Sequence, residues 1–114
     1  MTKIPSEAAC LEFFGRAPAL ADIGVPWAYN ILEFAHDDWR VVIEPAEGTV
    51  LVELRTASVE LSIPIRGVAV FEVLGKTSGA QQAVFSTSTA GGNTSDEWRL
   101  GLTPRFSLTC RCAD

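Results

Sequence analysis

Several groups of residues in this chain are of types that can do chemistry. His36, the single histidine, precedes Asp37 and Asp38. A histidine beside carboxylates can serve as a general base, and Cys10 is a nucleophile it could activate. Nothing in the spacing demands that geometry, and three polar residues between apolar stretches read as a solvated turn. Glu53 and Glu60 fall on neighbouring predicted strands, where paired carboxyls could hydrolyse a glycosidic bond. No aromatic sugar platform accompanies them. Gly75-Lys76-Thr77-Ser78 resembles the end of a phosphate-binding loop. That loop needs a glycine five residues earlier, where Val70 stands, and a following helix, where GAQQAVFSTST reads as strand. A hairpin loop accounts for it.

Cys10, Cys110, Cys112 and His36 are metal-ligand types, but a C-x-C spacing alone does not specify a metal. Phe106, Leu108, Cys110 and Cys112 alternate with Ser107, Thr109 and Arg111, which places both thiols on the core side of a last strand as small hydrophobes. The odd count of 3 cysteines argues against a disulfide framework. The expectation is therefore a chain with no catalytic residue, no metal and no cofactor. What remains is a set of carboxylates, and the question becomes which elements hold them.

The clearest element is a β-meander from Asp38 to Ile65. Trp39, Val41 and Ile43 alternate with Arg40, Val42 and Glu44, the period of a half-buried strand. Pro45-Ala46-Glu47-Gly48 is a four-residue turn with glycine where a positive φ is needed. Pairing Glu44 with Thr49 sets Ile43 against Val50, Val41 against Val52 and Trp39 against Leu54 on one face. It sets Arg40 against Glu53, and Val42 against Leu51, on the other. One register thus satisfies both faces. Closing the next hairpin over Arg55–Ser58 places Leu54 beside Val59 and sets Glu53 opposite Glu60, a like-charge contact.

Elsewhere Ser6 caps a predicted helix over Glu7–Phe14 that buries Ala9, Cys10, Phe13 and Phe14 and ends at Gly15. Residues 27–36 are ambiguous. Trp27, Tyr29 and Ile31 alternate like a strand, while Pro26 also permits a helix, and the neighbouring hairpins favour strand. Ala69, Phe71 and Val73 form the inner face of a strand that is apolar on both sides, so it is either central or covered by the helix. Ala83-Phe85-Thr87, Trp98-Leu100-Leu102 and the Phe106 strand follow, separated by turns. The expected fold is mainly β with one short N-terminal helix: an antiparallel meander of seven to eight strands closing a small sandwich or barrel over a single domain, residues 1–114.

Composition bounds the function. With 47% hydrophobic and 20% charged residues the chain is an ordinary globular protein. No apolar run is long enough to span a membrane, and Pro5, Ser6 and Glu7 interrupt any signal peptide, so the expected location is cytoplasmic. Residues 33–72 contain eight carboxylates and three arginines, which accounts for the whole net charge of −5. That field repels nucleic acid and anionic membrane and attracts a basic partner.

On this reading Asp37, Asp38, Glu44, Glu47, Glu53 and Glu60 steer and hold a basic protein, with Val42 and Leu51 as an apolar centre. The chain is similar in size and charge to bacterial immunity proteins, which neutralise nuclease-like toxins, and to acidic proteins that imitate nucleic acid. The first expectation is a non-enzymatic domain that docks and inhibits such a partner, a toxin or nuclease-like domain. A strong preference for arginine over lysine also suits a bacterial source. Two alternatives stand beside it. One is a small-molecule carrier or cyclase-like barrel lined by Trp27, Trp39, Phe71, Phe85 and Trp98. The other is a homo-oligomeric structural or assembly subunit joined through strand edges.

Overall fold

The computed structural model describes residues 1–22, 24–75, 81–88, 96–103 and 105–112. Helix α1 (Glu7–Phe14) starts at Ser6, whose hydroxyl accepts from the Ala9 N–H, and ends at Gly15 in the left-handed region. Cys10, Phe13 and Phe14 are its buried residues, and Ala9 is half-buried.

Nine antiparallel strands follow among the described residues. β1 (Ala19–Leu20), β2 (Leu32–Ala35), β3 (Trp39–Glu44), β4 (Thr49–Arg55) and β5 (Glu60–Ile65) form one sheet in that order. β6 (Val68–Leu74), β7 (Gln82–Thr87), β8 (Glu97–Gly101) and β9 (Ser107–Arg111) form the other. Both sheets bury a face in one core, with Leu32, Phe34, Val41, Ile43, Val50, Val52 and Ile65 from the first, and Val68, Phe71, Ala83, Phe85 and Leu100 from the second. Two separate sheets over a shared core are the layering of a sandwich. Phe14 of α1 lies flat on Phe34, with ring centroids 3.8 Å apart, and so fastens the helix to the first sheet.

The β3–β4 register is the one the alternation dictates, from Trp39 opposite Leu54 to Glu44 opposite Thr49. Gly48 ends the turn at φ 68. The next hairpin differs from expectation. Leu54 pairs with Leu61, Val52 with Ile63, Glu53 with Ser62 and Arg55 with Glu60. The slip is two residues, so every side chain keeps its face. Thr56 causes it: its N–H donates to the Val59 carbonyl at 2.7 Å, and its Oγ1 accepts from the Val59 N–H at 3.0 Å. The loop is therefore Thr56–Val59. The Glu53–Glu60 contact does not exist, and Val59 is left exposed.

Three other expectations change. Trp27–Tyr29 is a single 3-10 turn rather than strand, and β2 starts at Leu32 with Leu32 and Phe34 inward. Trp27 leaves the strand pattern because its indole N–H donates to the Pro5 carbonyl. In β6 a register shift between Val68 and Val70 turns Val68 inward with Phe71, so Ala69 is not a core residue. Of the two readings of β6 the second holds: it is an edge strand, α1 lies against it, and the N-terminal segment pairs with it, Thr2 donating to the Ala69 carbonyl and Phe71 to that of Lys3. Finally, Cys110 and Cys112 are exposed. They follow Phe106 and Leu108 past the point where β9 still overlies the core. Of the GKTS loop, residues 76–78 lie outside the described residues.

Candidate functional site

The outer face of the five-stranded sheet carries most of the carboxylates of interest, and strand period determines which. With Trp39, Val41, Ile43, Val50 and Val52 turned inward, Arg40, Val42, Glu44, Thr49, Leu51, Glu53 and Arg55 must point out. Cross-strand pairing then arranges them in rows. Glu33, Val42, Leu51 and Pro64 form one row across β2 to β5. The next row is Ala35, Arg40, Glu53 and Ser62. Val42 and Leu51 are thus direct neighbours, half-buried, and Pro64 extends the apolar strip to the edge. Pro64 has no N–H to donate, which an edge strand tolerates. An open groove of about 270 Å³ runs here, lined by Val42, Leu51 and Pro64 with Glu44, Thr49 and Arg66 beside them.

Arg40 dominates the polar row. Its Nε donates to Glu33 at 2.6 Å and its Nη1 to Glu53 at 2.5 Å, so one guanidinium bridges carboxylates from both flanking strands. Those two hydrogen bonds hold the Arg40 guanidinium above its usual pKa. Glu60 meets Arg55 at 3.3 Å, with both side chains largely in solvent. Glu53 and Glu60 are therefore neutralised by arginines, and their charge is not available in full to a partner.

Glu44, Glu47, Asp37 and Asp38 have no ion pair among the described residues. They do not form one patch. Asp37 and Asp38 occupy the β2–β3 turn, closed by the His36 N–H donating to the Trp39 carbonyl. Glu47 sits in the turn at the other end of β3, a strand's length of about 20 Å away. Glu44 alone borders the apolar groove. The structure therefore gathers Val42, Leu51, Glu44 and Glu53 on one face. Glu60 lies toward its margin, and the three turn acids lie at its two ends.

A second cleft, about 330 Å³, opens at the β2–β3 turn between Asp37, Asp38, Glu53, Arg40 and Arg55. His36 and Trp39 stack along it with ring centroids 5.7 Å apart. Cys10, the nucleophile that a base at His36 would need, is sealed in the core instead.

No protein-family model matches the chain, and no curated protein does. A solved structure does match, at a TM-score of 0.69 with 16% identity over 96% of this chain and 95% of that one: a contact-dependent growth inhibition toxin–immunity protein complex from Klebsiella pneumoniae 342. The likeness shows the fold. The chain is a mainly β protein with antiparallel sheets of five and four strands and one short helix among the described residues, and its fold is similar to that of a chain of that complex.

Sequence reasoning missed Glu33, Pro64 and Arg66 as members of this face. Glu33 was hidden because the phase of residues 27–36 was ambiguous, although a carboxylate seven residues before Arg40 across a two-residue turn was a usable signal. Pro64 keeps its face in either register, but the expected pairing sets it against Thr49, and only the observed one sets it against Leu51 to extend the apolar strip, with Arg66 beside it.

Proposed function

We propose that this chain is a non-enzymatic inhibitor that docks a basic toxin domain, as an immunity protein does. The observation that carries the proposal is the fold shared, over nearly the full length of both chains, with a member of a toxin–immunity complex. The charge supports the inhibitor's side of such a pair. A chain with pI near 4.8, its acid excess confined to residues 33–72, suits capture of a basic protein and not contact with phosphate. The docking surface in this reading is the outer face of the five-stranded sheet. Val42, Leu51 and Pro64 are its apolar centre, Glu44 and the Arg40-paired Glu53 border it, Glu60 stands at its margin paired with Arg55, and Glu47, Asp37 and Asp38 supply the longer-range field. Free thiols at Cys10, Cys110 and Cys112 fit a reducing cytoplasm, which is where the reading places the protein. Among the described residues no helix is long and apolar enough to cross a membrane.

The experiment is co-expression with a toxin-type gene product encoded beside this chain, where the genome holds one, or otherwise with a panel of basic toxin domains, followed by affinity capture at low and high salt. A Leu51→Arg, Glu44→Lys double variant, checked for a native circular-dichroism spectrum, is expected to lose the toxin and its protection of cells. Full capture and full protection by that variant would remove the sheet face from the proposal. Failure of the native chain to bind or protect would remove the proposal itself.

The carrier alternative gains no support from the aromatic residues. Phe71 and Phe85 are buried against each other with centroids 4.8 Å apart, and Trp27, Trp39 and Trp98 pack onto the core from its margins. Phe71 and Phe85 fill the interior, and Trp39 borders the open cleft at the β2–β3 turn and not an enclosed barrel cavity.

A further inference from the structure

The exposed ends of β8 and β9 place two thiols side by side in solvent. Cys110 lies in β9, the free edge of its sheet, and Cys112 one residue past its end, with their Sγ atoms 3.6 Å apart. Two thiols so placed can be joined by oxidation or by a shared cation, and strand geometry discriminates between these. A disulfide draws its Cβ atoms to about 3.5–4.5 Å, whereas alternate residues of an extended strand stand about 6.6 Å apart. Cys110 and Arg111 are held extended by pairing with Trp98 and Glu97. Closing the S–S bond would therefore break the last rungs of the ladder. A cation fits without that distortion. With metal–sulfur bonds of about 2.3 Å, sulfurs 3.6 Å apart subtend about 103° at the metal, close to a tetrahedral angle.

The geometry points to a dithiolate clip at Cys110 and Cys112 for a thiophilic divalent cation of the zinc and cadmium class. Soft sulfur donors select such ions over magnesium or calcium. Binding replaces two S–H bonds with two metal–sulfur bonds and releases two protons to solvent. Among the described residues no cluster of three or more His, Cys, Asp or Glu side chains gathers. The chain therefore supplies half of a tetrahedral shell, and water or a donor from outside the chain completes it. The Asp96 carboxylate, whose charge is felt at Cys110, adds to the negative field there. The site is remote in sequence from the docking face, and it stands or falls independently of the function proposed above.

The test is titration of the reduced full-length chain with cadmium ion, followed by thiolate-to-metal charge-transfer absorption, with proton release measured in parallel. One cadmium per one or two chains is expected, with two protons released per pair of thiols. The band should be lost in Cys110→Ser and in Cys112→Ser, each with its fold intact by circular dichroism. Cys10, closed in the core, should not contribute. Three results would each overturn the clip: no band at millimolar cadmium, a band that survives Cys112→Ser, or a Cys110–Cys112 disulfide in the air-exposed native protein by intact mass.

Discussion

At Cys10 burial is the main determinant of the chemistry. The thiol has no exposed surface and is pushed up from 9.0 to about 12, first by desolvation and then by the charge of Glu7. The native state therefore keeps its proton while the unfolded state loses one above pH 9.0, so stability from this group is intact below that pH and falls as pH rises toward about 12. Urea midpoints measured across that window should decline, and the decline should be shallower in Cys10→Ala. A thiol reagent applied to the native chain should modify Cys110 and Cys112 and leave Cys10 untouched. Arg40 is a contrasting case. Its two ion pairs are part-exposed, so Arg40→Ala should cost only about 1 kcal/mol in a urea titration. It also frees Glu33 and Glu53, which makes the face more negative. Association with a basic partner should then be faster at low salt, a gain readable by stopped flow.

The β3–β4 hairpin, an element determined by its own turn, was fully legible. Alternation set the inward face, and Pro45–Gly48 set the loop, so only one register satisfied both. Gly48 is required twice over. Its φ of 68 is unfavourable for other residues, and a Cβ there would sit 2.9 Å from the Val68 carbonyl oxygen, which is backbone and cannot move aside. Gly48→Ala should destabilise the protein by at least about 1–2 kcal/mol, measured by thermal or urea unfolding. The β4–β5 hairpin was read two residues out of step because strand period cannot detect a shift of two. The deciding contact, the Thr56 side chain accepting from Ser58 and Val59 N–H groups, is a hydroxyl geometry that no apolar pattern encodes. The error mattered, because it produced a Glu53–Glu60 repulsion where the protein has Arg40–Glu53 and Arg55–Glu60 attractions.

For the whole molecule, the excess of carboxylates predicts that any complex with a basic partner weakens steeply with salt. Raising ionic strength from low to physiological shortens the screening length from about 30 Å to about 8 Å, so the association rate should fall while dissociation changes little. Surface plasmon resonance across a salt series checks this. An association rate indifferent to salt would mean that the acid excess serves only solubility.

The sequence by itself determined the fold class, the helix with both its caps, the inward faces of most strands and the confinement of acid to residues 33–72. Each of these follows from local period, turn chemistry or simple charge counting. Tertiary structure decided which of those acids remain free. Glu53 and Glu60 are matched to arginines, Glu44 is left beside the Val42–Leu51–Pro64 strip, and the turn acids are sent to opposite ends of a strand. It also decided that Cys110 and Cys112 project beyond the core, although their alternation is that of buried residues. Period states which side of a strand a residue is on, but only the partner sheet's extent decides whether that side is covered.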